Sequence, residues 1–281
     1  NTPLPFLFEA TGEIIRFTDG RDPVPRSREV FHFFKPETLK EWLAESDSLR
    51  RRLRQQMPAL PAENLRDCQV SAVTGLEKSL AENRPRALIH MATGAGKTFT
   101  AITSVYRLLK FGGAKRILFL VDTRNLCKQA HQEFMAYTPP DDARKFTELY
   151  NVTKLARGGM PDSTKVAIST IQRVFKAIKN EDVPEGDDPG LDEFRPDEPV
   201  TVSYNPELPP ETFDLVIVDE AHRSIYGVWR GVLEYFDAHI VGLTATPERM
   251  DGDNVAGLLE PRFDVVVDAI DGVNSKVNLI V

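Results

Sequence analysis

Two short stretches hold the residue types that do chemistry. In "FDLVIVDEAHRS" (213–224) an apolar strand pattern runs straight into Asp219 and Glu220, with His222 two places on. Two carboxylates at the mouth of an apolar strand are unfavourable unless a cation meets them there. In "HMATGAGKTFT" (90–100) a Gly-rich loop follows the apolar run "RALI" and opens a helical pattern. Glycines in that setting let the backbone N–H groups of Thr93, Gly94, Ala95 and Gly96 converge on phosphate oxygens. The helix starting near Lys97 adds its N-terminal partial charge. Lys97 then reaches the β- and γ-phosphates, and the Thr98 hydroxyl ligates Mg²⁺. One position departs from the general phosphate-loop pattern, because Met91 stands five before Gly96, where glycine is usual.

The loop names the missing cation. Asp219 and Glu220 end a second strand, as the acidic partner of a phosphate loop does, so the ion is Mg²⁺ carried with ATP. Asp219 holds it, directly or through water, and Glu220 orients and deprotonates the attacking water. Lys97 and Glu220 are thus the expected catalytic pair.

The elements that must position these groups alternate. Strand patterns "RALIHM", "RILFLVD", "KVAIST", "FDLVIVD" and "AHIVGLTA" are interleaved with the helical patterns "LRDCQVSAVTGLEKSLAEN", "KTFTAITSVYRLLKFG", "RNLCKQAHQEFMAY" and "IQRVFKAIK". Short apolar strands alternating with helices predict an α/β fold, a parallel sheet with helices on both faces. Ligands of such sheets sit at the carboxyl ends of the strands, where both motifs lie. Residues 1–60 read as a small α+β appendage. It has two strands around Thr11-Gly12 and a helix opened by Pro36 with Leu39, Trp42 and Leu43 on one face. Arg50, Arg51, Arg52 and Arg54 read as a solvated helix face, with phosphate contact as the alternative. Residues 61–260 read as the α/β lobe and 261–281 as the start of a connection onward. Within the lobe, 181–211 holds eleven acids, one Arg and seven Pro. It reads as a mobile acidic insertion unable to bury a core.

Composition sets the remaining bounds. Of 281 residues, 41% are hydrophobic and 27% charged, and the net charge is −7, so nothing pulls the whole chain toward nucleic acid or membrane. A local basic groove is still compatible with that charge. No run approaches the roughly 20 apolar residues of a membrane span. Cys68 and Cys127 make no disulfide framework and fit a reducing, cytoplasmic setting. The "NVT" at 151–153 is a chance glycosylation match. The start without Met and the abrupt end suggest a piece of something longer.

Phosphate loop, "VDEAH" and "TAT", in this order, resemble the first motor lobe of superfamily 2 helicases and translocases over residues 60 to 250. That resemblance implies a RecA-like P-loop NTPase lobe in which Gln69 of "RDCQ" recognises adenine, with Arg66 beside it in the nucleotide site. It implies that His222, Thr244, Ala245 and Thr246 couple the nucleotide to nucleic-acid movement. It also implies that "DTRNL" and "STIQ" line the nucleic-acid track, through Thr123, Arg124, Ser169, Thr170 and Gln172. A narrower match, "LPPETFDLVIVDEAHRSIYGVWRGVLEYFDAHIVGLTATPER", resembles the motor (restriction) subunit of type I restriction–modification enzymes. "PFLFEATGEIIRF" and "SREVFHFFKPETL" resemble the segment that joins that subunit's nuclease domain to its motor. The family implies ATP-driven translocation on double-stranded DNA, in complex with methyltransferase and specificity subunits. Residues 1–60 hold no cleavage constellation of that family's kind. A strand-separating helicase acting on DNA or RNA and a nucleotide-gated binding module are the competing readings. After Val241 the remaining chain is too short for a second lobe, so slow hydrolysis is expected of this piece alone.

Overall fold

The computed structural model describes residues 4–155, 160–181, 196, 198–221, 228–246 and 265–268. Its centre is a seven-stranded sheet in the order β10-β4-β9-β8-β5-β7-β6, with every neighbouring pair parallel. These strands are β4 (Arg86–His90), β5 (Ile117–Val121), β6 (Asn151–Lys154), β7 (Thr164–Thr170), β8 (Leu215–Val218), β9 (His239–Thr244) and β10 (Val265–Asp268). The helices are α3 (Asp67–Ala81), α4 (Lys97–Lys110), α5 (Arg124–Ala136), α6 (Phe146–Leu149), α7 (Ile171–Ile178) and α8 (Arg230–Tyr235).

Strand side chains alternate between faces, and the two cores divide accordingly. Ala87, Ile89, Ile117, Phe119, Ile217 and Val241 face the layer of α3, α4 and α5, which supplies Leu76, Val105 and Phe134. Their neighbours Leu88, Leu118, Leu120, Val216, Val218 and Ile240 face Val174, Ile178, Val232 and Leu233 of α7 and α8. Burial on both faces explains why β5 and β8 are unbroken apolar runs. The expected α/β class, with a parallel sheet covered on both sides, is the observed fold.

The first 55 residues form a three-stranded antiparallel sheet, β1 (Phe6–Ala10), β2 (Ile15–Asp19) and β3 (Arg28–Val30), followed by α1 (Pro36–Ala44) and α2 (Leu49–Gln55). Phe17, Val30 and Phe34 are its core, with Leu39 and Trp42 of α1 against it, whereas Leu43 is exposed. This unit sits on the parallel sheet's lobe. Arg28 grips Asp237 with both guanidinium arms, at 2.6 and 2.7 Å, and Lys35 N–H donates to Glu211 Oε1 at 2.7 Å.

Two expectations need correction. The arginines of α2 are neither a solvated face nor free for phosphate over residues 50–52. Arg50 meets Asp22, Arg51 donates to the Arg21 carbonyl, and Arg52 joins Glu45 to the Gly112 carbonyl. Their acceptors come from other elements, which is why the local run looked unpaired. The acidic insertion also buries part of itself. Leu208 and Asn205 are buried, Asn205 N–H donates to Tyr235 Oη, and Tyr204 stacks on His32 at 3.8 Å. Residues 182–195 and 197 of that segment lie outside the described residues.

Burial pushes the Asp237 carboxyl up, but the charge and hydrogen bonds of Arg28, with Arg50 beyond, hold it below the usual carboxylate range. A depressed carboxylate stabilises the fold above its unfolded pKa and loses that contribution as pH falls through its folded value. Asp237→Ala is expected to destabilise the protein by about 3 kcal/mol at neutral pH, since it strands a largely desolvated guanidinium. Urea unfolding at pH 7 and pH 3 checks this. The deficit should shrink at the acid end, and a neutral-pH change within about 0.5 kcal/mol, typical of surface substitutions, contradicts it.

Candidate active site

The loop between β4 and α4 is shaped by its glycines. Gly94 and Gly96 hold φ of 77° and 87°, and Gly96 is the N-cap of α4. A Cβ on Gly96 would lie 2.5 Å from Gln69 Nε2. Met91 is fully buried, and its N–H donates to the Thr244 carbonyl at 2.9 Å. The departure from the glycine pattern is therefore absorbed by the core, with no side chain entering the loop.

Helix α3 braces this loop from outside. Gln69 is buried, its Oε1 accepting from Arg66 N–H at 3.0 Å and its Nε2 donating to the Ala95 carbonyl at 3.1 Å. Arg66 Nη1 donates to the Gly94 carbonyl at 3.1 Å. Arg66 and Gln69 thus stand together against the residues expected to cradle phosphate.

Opposite lies the acidic pair. Asp219 N–H donates to the Leu120 carbonyl of β5, and Ala221 N–H donates to the Leu243 carbonyl of β9. Pinned on both sides, Glu220 adopts φ 50°, a left-handed conformation that costs about 1–2 kcal/mol outside glycine. Its N–H donates to Asp219 Oδ1 at 2.9 Å. Its carboxylate faces Lys97 Nζ at 3.8 Å. Asp219 is only 9% exposed. Burial first, and then the Glu220 charge, push its carboxyl up to about 6, against the pull of Glu220 N–H and Lys97.

Strand β9 stands between the two halves and bonds to both. His90 pairs with Thr244, and Val218 with Gly242. Thr244 is fully buried, its hydroxyl donating to the Thr246 carbonyl and accepting from Thr246 N–H. The Ala245 carbonyl lies 3.2 Å from His90 Nε2. Thr244, Ala245 and Thr246 are therefore tied to the end of the phosphate-loop strand. His222 lies outside the described residues.

The residues expected on a nucleic-acid track gather at the carboxyl ends of β5 and β7. Thr123 caps α5, accepting from Leu126 N–H at 3.5 Å. Ser169, Thr170 and Gln172 are buried, and the Thr170 hydroxyl and Gln172 Oε1 have no hydrogen-bond partner among the described residues. Arg124 and Ser169 share a cavity of about 120 Å³ with Lys128, Lys154 and Arg173. Burial, and then the nearby Lys154 charge, lower the pKa of His131. Lys128, Lys154 and Arg173 escaped the sequence reading because three different elements bring them together. The one local signal was the i, i+4 spacing of Arg124 and Lys128 on α5.

Residues 62–249 match the family described as Type III restriction enzyme, res subunit. The chain belongs to this family. Among its relatives, the type I restriction enzyme EcoKI endonuclease subunit of Escherichia coli (strain K12) is 29% identical over 273 residues, 87% of this chain and 21% of that protein. The type I restriction enzyme EcoAI endonuclease subunit of Escherichia coli is 31% identical over 184 residues, 64% of this chain and 19% of that protein. The Hef helicase domain of Pyrococcus furiosus aligns at 18% identity and a TM-score of 0.43, covering 68% of this chain and 36% of that one. This chain spans about a fifth of the length of the curated relatives it matches. The resemblance to type I restriction subunits read from the motifs holds.

For a restriction-family lobe of this kind, the donor set suits Mg²⁺. Among the described residues no three His, Cys, Asp or Glu side chains cluster for a metal. Magnesium asks for little more than one or two carboxylates when phosphates and water complete its shell. Thr98, first turn of α4, and Asp219 are the groups that would hold it. The raised Asp219 carboxyl reflects burial first and then the Glu220 charge beside it, with Lys97 pulling the other way. Between 3.8 and about 6 the folded state binds more protons at Asp219 than the unfolded chain, so stability falls as pH rises through that window. Asp219→Asn is expected to stabilise the metal-free protein at pH 7.5 by on the order of 2–3 kcal/mol. That gain should largely vanish at pH 4. Denaturant titration at both pH values decides it, and a less stable Asn variant at pH 7.5 contradicts the cause assigned here.

Proposed function

We propose that this chain is the ATP-binding motor lobe of a type I restriction enzyme's endonuclease subunit, and that ATP hydrolysis here drives movement along double-stranded DNA. The single observation that carries the reading is the facing of Lys97 and Glu220 across β9, 3.8 Å apart. Standing that close without nucleotide, the ammonium and the carboxylate would border the same γ-phosphate and its attacking water once bound nucleotide parts them.

Each residue then has a task. Backbone N–H groups of Thr93 to Gly96 receive the β-phosphate, and Lys97 neutralises the β- and γ-oxygens. Arg66 and Gln69 fix the loop and border the base. Thr98 and Asp219 would hold Mg²⁺, which would supply charge neutralisation at the phosphates. Glu220 orients a water and accepts its proton. Thr244, Ala245 and Thr246, with His222, transmit the state of the site along the sheet edge. The cavity of Arg124, Lys128, Lys154 and Arg173 suits a backbone phosphate of the nucleic acid. Methyltransferase and specificity subunits would anchor the motor at its recognition site, in the cytoplasm. No helix among the described residues is long and apolar enough to cross a membrane.

ATP hydrolysis by the complete protein with its partner subunits tests this, comparing linear duplex DNA, single-stranded DNA and RNA at matched salt. Stimulation by duplex DNA alone is expected, falling as salt rises because the contacts are to phosphates. Glu220→Gln should keep ATP binding and lose hydrolysis by at least about 100-fold, the lower range for general-base catalysis. Stimulation by RNA or single strands alone would favour a strand-separating helicase. Equal loss of binding and hydrolysis in the Gln variant would remove the role given to Glu220.

A further inference from the structure

We propose that the base of the bound nucleotide stacks on Phe99, at the mouth of an aromatic groove that runs the length of α4. The inference rests on the nucleotide reading above and adds a residue that contacts the base. Phe99 lies two positions after Lys97 and is 41% exposed, so part of its ring is open beside the Gly-rich loop. Gly96 shows how near it stands to the loop. A Cβ there would be 2.5 Å from Gln69 Nε2 and 3.9 Å from Phe99 Cβ, so both side chains flank the same loop residue.

One side of the ring is held in place. Phe99 packs on Tyr137 with centroids 5.3 Å apart and tilted by 55°, and Tyr137 Oη is fixed by the Thr103 hydroxyl at 3.1 Å. The groove beside it has a volume of about 290 Å³, lined by Phe99 and Tyr106 of α4, by Phe111 just past its end, and by Glu63, Asn64 and Leu65. The last three residues run directly into Arg66, which is bonded to the loop at Gly94. A nucleotide whose phosphates rest on the loop amides therefore has its base directed toward this mouth.

The amide of Gln69 is largely committed elsewhere. Its carbonyl already accepts from Arg66 N–H and its amino group already donates to Ala95. A planar ring gains more from the exposed phenyl face than from a buried, partly satisfied amide. Recognition of the base is then mainly by stacking, with Asn64 and Glu63 placed to meet its polar edge.

Calorimetry of magnesium ATP and of magnesium tripolyphosphate, which has phosphates but no base, separates the two contributions. Phe99→Ala and Phe99→Leu should each weaken ATP binding by about tenfold, the scale of a lost base–aromatic stack. Tripolyphosphate affinity should stay within about twofold, and Phe99→Trp should restore ATP binding. Equal weakening of both ligands, or unchanged ATP affinity, overturns the stack. If wild-type protein binds neither ligand in a Lys97-dependent way, the nucleotide reading falls with it. Lys97-dependent binding that ignores Phe99 removes the stack alone.

Discussion

The strand order fixes everything else at this site. With β9 inserted between β4 and β8, the phosphate loop and the acidic pair sit two ladder spacings apart, roughly 10 Å. Backbone hydrogen bonds hold that interval, so it does not depend on any flexible side chain. Lys97 and Glu220 reach into the gap from opposite sides and stop 3.8 Å apart. The same ladder sets Glu220 in its left-handed conformation, because its two neighbours bond outward to β5 and β9. Thr244 closes the gap from behind, bonded to Met91 on one side and to Thr246 on the other.

Around this frame, long-range polar contacts do the bracing. Gln69 and Arg66 hold the phosphate loop from α3, and neither contact lies within the loop's own segment. The N-terminal sheet is joined to the lobe by the Arg28–Asp237 fork, while Arg52 ties α2 to the end of α4 through Gly112 and Gly113. These contacts bury charge, so they favour one arrangement of the two layers over near alternatives while adding little net stability by themselves.

What the sequence disclosed follows the same physics. Strands buried on both faces, such as Leu215–Val218 and Ile117–Val121, leave an apolar run that reads directly. Strand β6 did not read, because its "NVTK" lies at the sheet edge and is half exposed. The three residues of β3 are too few for a pattern, and β10 pairs with β4 from a stretch read as a connection onward. Lys97, Thr98, Asp219 and Glu220 were legible as candidates because each belongs to a short local pattern just past the end of an apolar strand. Lys154 and Arg173 were not, since only the fold brings β6 and α7 to one cavity. The same holds for Arg50 to Arg52, whose acceptors Asp22, Arg21 and Gly112 belong to other segments.

The central claim is that α4 and β8 together hold one magnesium–nucleotide site. The most direct measurement is ATP affinity with and without Mg²⁺, in wild-type protein and in Asp219→Ala. Magnesium should tighten ATP binding in the wild type, and Asp219→Ala should lose that tightening while keeping the magnesium-free affinity supplied by Lys97 and the loop. Equal dependence on Mg²⁺ in both proteins would mean that β8 does not share the ion with α4, and the site as built here would be wrong.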